Sequence, residues 1–515
     1  MYTFSSKLKT FSIILMVVGL LGIGYGFLTA PKTIQDVEKI LAEQEHHGGG
    51  HGEAAGHEAA DAATHDASGV VEGHEAGRKT ETPVDMVEPS VAKKDSLHQQ
   101  DNAVAATDTV HNVMTGAEVN TDVALTEAHH AKAETHDAHA EHQAHLEHVL
   151  HQLQNKPWAA FYVACIFFML ISLGVLAFYA INIAASAGWS PVLFRVMQGI
   201  SAYLPVASVI FLIFLVLSIF HVNHIFPWLA EGITDPNSPN YDHMIAGKSG
   251  YLNPVFWIIR AIVFLGGWNL YRYLTRKNCL AQDESIDDSF YKKNFKLSAG
   301  FLVFFIVSES LMSWDWIMSV DPHWFSTLFG WYVFASFIVS GITVICMVTL
   351  YMKSRGYLPE VNSSHIHDLA KYMFGFSIFW TYLWFAQFML IWYANIPEEV
   401  TYFVQRINDF GLPFWLALVM NFVFPILILM NTDFKRVSWI LVTASLCILG
   451  GHYLDFFNMI MPAAVGTQWF IGAAEIGAMC FFGGLFIMVV FTAMTKAPLI
   501  PKRSPFIEES KHFHY

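Results

Sequence analysis

Residues 326–352 read STLFGWYVFASFIVSGITVICMVTLYM, a stretch of 27 residues that contains no Asp, Glu, Lys or Arg. A helix rises about 1.5 Å per residue, so this stretch is long enough to cross the roughly 30 Å hydrocarbon core of a bilayer. Nine other apolar stretches of about 20 residues or more lie near 11–30, 158–184, 199–222, 254–274, 297–320, 368–394, 409–431, 437–460 and 469–494. The sequence therefore predicts an all-α polytopic membrane protein with about ten transmembrane helices.

The composition of the whole chain agrees with a membrane protein. Of its 515 residues, 54% are hydrophobic and only 14% are charged, whereas soluble domains carry about 25% charged residues. A net charge of −14 without a basic stripe argues against nucleic-acid binding. None of the five cysteines forms a C-x-x-C motif, which argues against c-type haem attachment, a thiolate zinc site or a standard iron–sulfur cluster in this chain. Any redox centres are expected in partner subunits.

The first apolar stretch resembles a signal peptide, because Lys7 and Lys9 precede it. We predict that it is retained, since 11–28 is too long for the apolar region of a signal peptide and ends in a poor cleavage site. Its Gly22-x-x-x-Gly26 spacing places two small residues on one helix face, which favours packing against another transmembrane helix.

Lysine and arginine predict the orientation in the membrane. With the N-terminus inside, the inner segments carry 18 of the 29 Lys and Arg residues, and six of them lie in 272–296. Because short cytoplasmic loops are enriched in these residues, we expect both termini to be cytoplasmic. The predicted regions are a first span (1–30), a periplasmic loop (31–157), a transmembrane core (158–495) and a cytoplasmic tail (496–515).

The loop 31–157 contains 16 of the 25 histidines in a background poor in large apolar residues. Such a composition does not form a packed core. From His136 to His151 a histidine recurs every third residue among helix-favouring residues, so we predict a helix that continues into the second span. Histidines on one helix face bind transition metals, and the weak candidates are His139, His142, His145 and His148. The alternative is a solvated, pH-sensitive segment without a metal.

Ionisable residues inside membrane spans are costly and often functional. From Glu309 outward, those of this chain lie at mid-membrane or in the outer half of the predicted spans. The candidates for handling quinol or its protons are Glu309, Asp315, Asp321 and His323. The candidates for a quinone pocket or a proton path are His221, His224, Arg260, His452, Asp455 and Glu475. The alternative is that these groups pair with one another, for example Arg260 with Glu309 or Asp315, and only fix helix packing.

Quinol oxidation explains why such groups would gather toward one face. It releases two protons with two electrons, so a site needs carboxylates or histidines as proton acceptors and a hydrated path outward. Aromatic side chains such as Trp314, Trp316, Trp331 and Tyr332 are suited to wall a pocket for a flat ring.

Two sequence strings carry a resemblance to a known family. One is SESLMSWDWIMSVDPHWFST at 308–327, and the other is FWTYLWFAQF at 379–388, followed by IWYANIPEE at 391–399. Together they resemble the NrfD-like (polysulfide-reductase membrane-subunit-like) integral subunits of bacterial alternative complex III, a quinol:cytochrome c oxidoreductase. The resemblance covers roughly residues 155–500 and leaves the histidine-rich loop outside.

The resemblance implies more than the residue pattern does. It implies two four-helix bundles, spans 2–5 and 6–9, flanked by spans 1 and 10, in the bacterial cytoplasmic membrane. It implies a second NrfD-like subunit, an iron–sulfur subunit, haem c subunits and a terminal oxidase as partners, and a quinol such as menaquinol as ligand. This chain is more similar to the second of the two related subunits, and His221, Asp315 and Asp321 are the nearest candidates for quinol binding.

Two other functions remain open at this point. A metal-ion or proton transporter would use the histidine-rich loop to collect metal, and Pro205 and Pro425 are placed to break spans 3 and 8. A purely structural scaffold subunit would carry the same apolar spans. We prefer the respiratory subunit because the inner half of the spans has few ionisable partners for a transport path.

Overall fold

A computed structural model describes residues 2–47 and 120–514 of the chain. Within these ranges every regular element is helical, and ten helices are long and apolar enough to cross a membrane. Spans 1 to 10 are Ser6–Thr29, His145–Ala184, Pro191–Ile219, Pro254–Gln282, Ser289–Val320, Phe329–Ser354, Ser363–Ala394, Gly411–Leu429, Ser438–Val465 and Ala473–Met494. The protein is therefore an all-α polytopic membrane protein, and the prediction from its apolar stretches is confirmed.

The chain forms two units. One comprises Met1–Glu38 with His145–Tyr515 and holds all ten spans, and the other is Lys39–Ala144. Span 2 is the last part of a helix that begins at Asn120 and ends at Ala184. Shorter helices are Ile34–His47, His243–Gly247, Pro397–Asn408 and Ile507–Lys511.

Spans 2–5 and spans 6–9 form two four-helix bundles. In the first, spans 3 and 4 and spans 4 and 5 pack together, and the Tyr162 hydroxyl of span 2 donates to the Trp316 carbonyl of span 5 at 2.6 Å. In the second, spans 6, 7, 8 and 9 pack in a ring, with span 9 returning to span 6. This arrangement matches the two bundles that the resemblance implies.

Spans 2 and 6 cross where two glycines allow their backbones to touch. A methyl group on Gly174 would lie 2.5 Å from the Phe337 carbonyl oxygen, and one on Gly341 would lie 2.9 Å from the Val175 nitrogen. In the most apolar 18-residue segment of each of these two spans, 89% of the residues are buried. The corresponding segment of each of the other eight spans has 50% or fewer of its residues buried. These two spans therefore form the joint between the bundles.

Two spans depart from regular helix at the prolines that the sequence singled out. Span 3 contains a 3-10 turn, Ser201–Tyr203, immediately before Pro205. Span 8 contains a π-helical turn, Val419–Val423, before Pro425. A proline lacks the N–H that would bond one turn back, so the backbone rearranges on its N-terminal side.

Both termini meet the connection between spans 6 and 7. The Thr3 and Tyr357 hydroxyls lie 3.0 Å apart, and the Asn362 amide donates to the Phe513 carbonyl at 2.5 Å. We call this end of the molecule the terminal face. The opposite end, the connector face, holds the connections 220–253, 321–328, 395–410 and 466–472.

Spans 1 and 10 pack against each other along small residues, as the Gly22-x-x-x-Gly26 spacing predicted. A methyl group on Gly22 would lie 2.7 Å from the Ala473 carbonyl oxygen and 2.9 Å from Gly477 Cα, and one on Gly26 would lie 2.6 Å from Ala474 Cβ. Gly24, on the same helix, has no atom within 4 Å of that position. The close approach is therefore specific to one face of span 1.

We expect Gly22→Leu to separate spans 1 and 10 and to lower the free energy of unfolding by about 1–3 kcal/mol, the usual cost of overpacking. Gly24→Leu is the matched control, because its side chain would enter open space. The measurement is thermal unfolding of both purified variants in detergent. Equal midpoints for the two variants would contradict this packing.

Candidate functional site

The ionisable residues singled out by sequence fall into separate places. Arg260, Glu309 and Asp315 lie in the first bundle, and His452 and Asp455 lie in the second. The others, His221, His224, Asp321, His323 and Glu475, lie toward the connector face. The structure thus divides the candidates into two buried clusters and a group of five at the connector face, which we call the rim residues.

Arg260 of span 4 and Asp315 of span 5 form a two-point ion pair. Arg260 Nε donates to Asp315 Oδ2 at 2.6 Å, and Nη2 donates to Oδ1 at 2.8 Å. Asp315 is fully buried and Arg260 is 7% exposed. The third guanidinium nitrogen, Nη1, donates to the Tyr251 carbonyl at 3.1 Å, and the guanidinium carbon lies 4.0 Å from the centre of the Tyr251 ring.

This pair uses both oxygens of the Asp315 carboxylate. The backbone carbonyl of Asp315 is also occupied, by the Trp257 indole N–H at 2.9 Å and the Ser319 hydroxyl at 2.6 Å. Of the two partners that the sequence left open for Arg260, the structure selects Asp315. Such a pair fixes span 4 against span 5, so its first effect is structural.

An aromatic cleft lies beside the pair and opens at the connector face. Its volume is about 280 Å³, and its lining is almost entirely apolar. The lining residues are Lys248, Tyr251, Leu252, Trp314, Met318, Ser319, Pro322, Trp324 and Phe325. The Lys248 ammonium at its rim donates to the Pro322 carbonyl at 2.6 Å. Asp315 itself does not line the cleft.

Glu309, two turns away from Asp315, has no cationic partner among the described residues. Its carboxylate accepts from the Ser310 hydroxyl at 3.2 Å and the Ser313 hydroxyl at 3.4 Å, both on its own helix. It is 3% exposed. Glu309 is therefore a buried carboxyl group held by neutral donors.

Asp455 is the centre of the second cluster. Its Oδ2 accepts from the Ser336 hydroxyl at 2.8 Å and from the Trp380 indole N–H at 2.9 Å, and its Oδ1 accepts from the Tyr332 hydroxyl. His452 Nδ1 lies 2.9 Å from the same Ser336 oxygen and 3.8 Å from Asp455 Oδ2. Spans 6 and 7 thus donate hydrogen bonds to a carboxylate of span 9, next to which His452 of the same span lies.

A small cavity continues from Asp455 toward the connector face. It is lined by Asp455, Tyr332 and Arg406, among others, and its volume is about 20 Å³. A water molecule needs about 10–15 Å³ measured in this way. Arg406 is buried and binds the Tyr402 and Asn458 carbonyls at 2.8 and 2.9 Å rather than a carboxylate. The cavity therefore has room for one water between a carboxylate and a buried guanidinium.

Several polar groups around this cavity have no hydrogen-bond partner in the described part of the chain. They are both side-chain amide atoms of Gln387, the side-chain oxygen Oδ1 of Asn458 and His452 Nε2. Buried polar groups are almost always paired, and where no protein group is available an ordered water is a common partner. These orphan atoms point to hydration of the region between spans 6, 7 and 9.

A search of the sequence for ionisable residues does not find most of the residues around Asp455. Ser336, Trp380 and Gln387 are neutral residues in apolar runs, where they look like core positions. A usable signal is present for Gln387, because an amide inside a membrane span needs partners. Arg406 carries another signal, since it lies one helical turn after Tyr402 in an amphipathic helix.

The rim residues are tied to connector-face loops. His323 Nε2 lies 2.6 Å from Asp242 Oδ2, and the other Asp242 oxygen accepts the Met244 and Ile245 amides. The Ile245 amide, followed by His323, lowers the pKa of Asp242 below its ordinary value. Asp321 lies close enough to attract both Lys248 and Arg406. Asp321 thus acts electrostatically on Lys248, which lines the aromatic cleft, and on Arg406, which lines the Asp455 cavity.

The two histidines after span 3 lie in the turn that ends it. His221 adopts a positive φ of 55°, and the backbone N–H and C=O of His224 both bind the Asn155 side chain at 3.1 Å. Burial, followed by repulsion from His151 and His221, lowers the pKa of His224. Neither histidine touches Asp315 or His452 in the described structure.

Glu475 is the third residue of span 10, and its side chain caps the N-terminus of that helix. Its carboxylate accepts the Gly472 amide at 2.8 Å, and its other oxygen lies 3.9 Å from Lys156 Nζ. Both side chains are buried. This pair links span 2 to span 10 at the connector face, away from both buried clusters.

The histidine-rich segment is described only in part. His142, His145 and His148 are exposed, and His148 Nε2 lies 2.8 Å from the Gln152 amide. The side chain of His139 lies outside the part of the chain that the structure describes. Over the described residues no group of three or more His, Cys, Asp or Glu side chains is arranged to hold a metal.

Comparison with known proteins finds no match to this chain, either among family models or among curated proteins.

We expect Arg260→Met or Asp315→Leu alone to destabilise the protein by about 3–5 kcal/mol, because each leaves a buried charge unpaired. The double variant should recover most of this loss, since it replaces the pair by apolar groups. Thermal unfolding of the three purified variants measures the recovery. A double variant no more stable than either single one would show that the pair does more than neutralise itself.

Proposed function

We propose that this chain is an integral membrane subunit of a respiratory quinol:cytochrome c oxidoreductase similar to alternative complex III, and that it carries protons through its second bundle. The observation that supports this most is Asp455, a buried carboxylate whose hydrogen bonds within the described residues come from neutral donors and which lies beside a cavity of water size. The resemblance of 308–327 and 379–399 supplies the type of complex.

The two buried aspartates differ in what a proton would cost. Protonating Asp315 requires the group to leave Arg260, which holds both of its oxygens. Protonating Asp455 breaks no ion pair with lysine or arginine, because its donors are a tyrosine, a serine and a tryptophan. Asp455 is therefore the better proton carrier, and Asp315 the better structural anchor.

The groups around Asp455 supply a short relay. His452 Nδ1 and Asp455 share the Ser336 hydroxyl, and Tyr332 connects Asp455 to the cavity. One water in that cavity can take the proton from Asp455, while the Arg406 guanidinium stays protonated throughout. The next proton acceptor toward the connector face is the Asp321 carboxylate, which attracts Arg406. On the orientation predicted from lysine and arginine, that face is periplasmic, so a proton released there is on the outer side.

Quinol itself has a candidate pocket in the cleft beside Lys248. Its volume of about 280 Å³ lies near the lower end of the roughly 300–1,000 Å³ typical of small-molecule sites. Trp314, Trp324 and Phe325 offer ring faces, and Ser319 and Lys248 offer polar contacts. Asp321 and Asp242 both attract the Lys248 ammonium at the rim, so we expect these carboxylates to accept the protons released when quinol is oxidised. The electrons would leave to the iron–sulfur and haem c centres of partner subunits.

A purely structural role is the second candidate, and two ion pairs favour it. Arg260–Asp315 and Lys156–Glu475 each join two spans and use ionisable residues without exposing them. A scaffold would need these pairs but would not need Asp455 to exchange a proton.

The test compares Asp455→Asn with wild type in the purified complex, measuring quinol:cytochrome c turnover and proton release on the connector-face side. We expect the proton-coupled activity to fall by about 100-fold or more, the usual contribution of a positioned proton carrier. The amide keeps the size of the side chain and can still accept hydrogen bonds. Haem content and subunit composition are checked in each preparation.

Asp315→Asn is the comparison variant. We expect it to reduce assembly or thermal stability, with the molecules that do assemble turning over. Normal turnover and proton release in assembled Asp455→Asn would refute the relay and leave the scaffold role. Loss of proton release with normal turnover would assign Asp455 to a path separate from quinol chemistry.

A further inference from the structure

An arginine cluster at the terminal face of the first bundle carries more positive charge than its surroundings neutralise. It consists of Arg195 of span 3 and Arg272 and Arg276 of span 4. Arg276 is close enough to repel both of the others. One carboxylate, Asp283, is bonded to the cluster, through Arg195 Nη2 at 2.6 Å.

The contacts of Arg195 and Arg276 show the shortage of acceptors. The Gln198 side-chain oxygen accepts from Arg195 Nη1 and from Arg276 Nη1, each at 3.2 Å. Two guanidinium groups thus share one neutral amide oxygen. Arg195 is only 2% exposed, and its Nε has no hydrogen-bond partner in the described structure. The Gln198 amide nitrogen in turn donates to the Tyr179 hydroxyl at 2.8 Å.

The Arg272 side chain has even fewer hydrogen-bond acceptors than Arg195 and Arg276. In the part of the chain that is described, its side chain makes no hydrogen bond or ion pair, and its Nε is buried without a partner. Three more carboxylates, Glu284, Asp287 and Asp288, follow in the next connection, but none forms an ion pair with the arginines. Like charges one helical turn apart are destabilising, so the spacing of Arg272 and Arg276 is explained best by an anion that both contact.

The position of the cluster indicates where that anion comes from. Arg272 lies at the end of the apolar stretch 254–274, and its neighbours Leu270 and Tyr273 are 58% and 61% exposed. Exposed leucine and tyrosine at this level are typical of a surface that contacts lipid at the head-group region. Spans 3 and 4 are tied together beside it, where the Asn269 amide donates to the Ser208 hydroxyl at 2.9 Å. An anion reaching Arg272 and Arg276 would thus lie at the membrane interface between these spans.

We propose that Arg272 and Arg276 bind the phosphate group of an anionic phospholipid, whose acyl chains lie along the exposed apolar surface of spans 3 and 4. Guanidinium groups bind phosphate through paired N–H donors, which an exposed ammonium does not offer. Basic pockets between transmembrane helices are a recurrent way of holding anionic head groups. Arg195 is the positioning residue, since its contacts to Asp283 and Gln198 hold the site together.

The test uses the purified full chain in zwitterionic detergent with three probes: phosphatidylglycerol, phosphatidylcholine and inorganic phosphate. Binding is followed by native mass spectrometry and by the midpoint of thermal unfolding. We expect phosphatidylglycerol to bind and stabilise, and the other two probes to do neither. Arg272→Gln with Arg276→Gln should weaken phosphatidylglycerol binding about 30-fold, from about fivefold for each basic residue at an anionic surface.

Lys292→Gln with Lys293→Gln is the matched control. It removes two positive charges from the terminal face at exposed positions outside the cluster, and should leave lipid binding unchanged. Equal binding of both lipids, or an unchanged affinity in the arginine variant, would overturn the proposal. An equal effect of inorganic phosphate would assign the site to a soluble anion instead.

The double arginine variant removes the Arg276 contact to Gln198 and so risks misfolding. Arg272→Gln alone avoids this, because the Arg272 side chain makes no hydrogen bond to the described residues. We expect this single variant to unfold at the same temperature as wild type without lipid and to bind phosphatidylglycerol about fivefold more weakly. Wild-type affinity in this folded variant would also refute the site. None of these readouts depends on quinol turnover, so the outcome is independent of the function proposed above.

Discussion

Hydrocarbon offers no water to a carboxylate, so Asp315 and Asp455 must find their partners within the protein. Both stand in the last span of their bundle and seven residues before a proline, Asp315 before Pro322 and Asp455 before Pro462. The first bundle meets the requirement with Arg260, and the second meets it with neutral donors from spans 6 and 7. Because their buried aspartates have different partners, the two bundles differ in rigidity and in how readily the aspartate can change its protonation.

An ion pair and a set of neutral hydrogen bonds have different mechanical consequences. Arg260 holds Asp315 at two points and lies on the Tyr251 ring, so span 4, span 5 and the connection before span 4 move together. Asp455 is surrounded instead by groups that can each donate or reorient, beside a cavity that admits a water. The first arrangement favours rigidity, and the second tolerates a change of protonation. A chain that both anchors partner subunits and passes protons would need one ion-paired aspartate and one aspartate held by neutral donors.

Sequence reasoning succeeded where the membrane itself imposes the pattern. The ten spans, the small-residue face of span 1 and the irregular turns near Pro205 and Pro425 all follow from local rules of length, size and missing N–H groups. The partners of the buried charges do not follow from such rules. Whether Arg260 meets Glu309 or Asp315 depends on the rotation and depth of span 4, which periodicity does not determine. The donors to Asp455 were harder still to predict, because Ser336 and Trp380 are ordinary residues of apolar helices until a carboxylate lies opposite them.

The charge distribution along the membrane normal links the two halves of the molecule. Asp455 and Asp321 lie on the connector-face side and form no ion pair with lysine or arginine in the described structure, whereas Arg195, Arg272 and Arg276 lie toward the terminal face with one bonded carboxylate. Fixed positive charge on one side and proton-accepting groups on the other create a field that opposes entry of a proton from the terminal face and favours its residence near the connector face. An anionic phospholipid at the arginines would weaken that field locally and lower the cost of burying three like charges. The same lipid would then contribute both to the stability of the first bundle and to the electrostatic setting of the second.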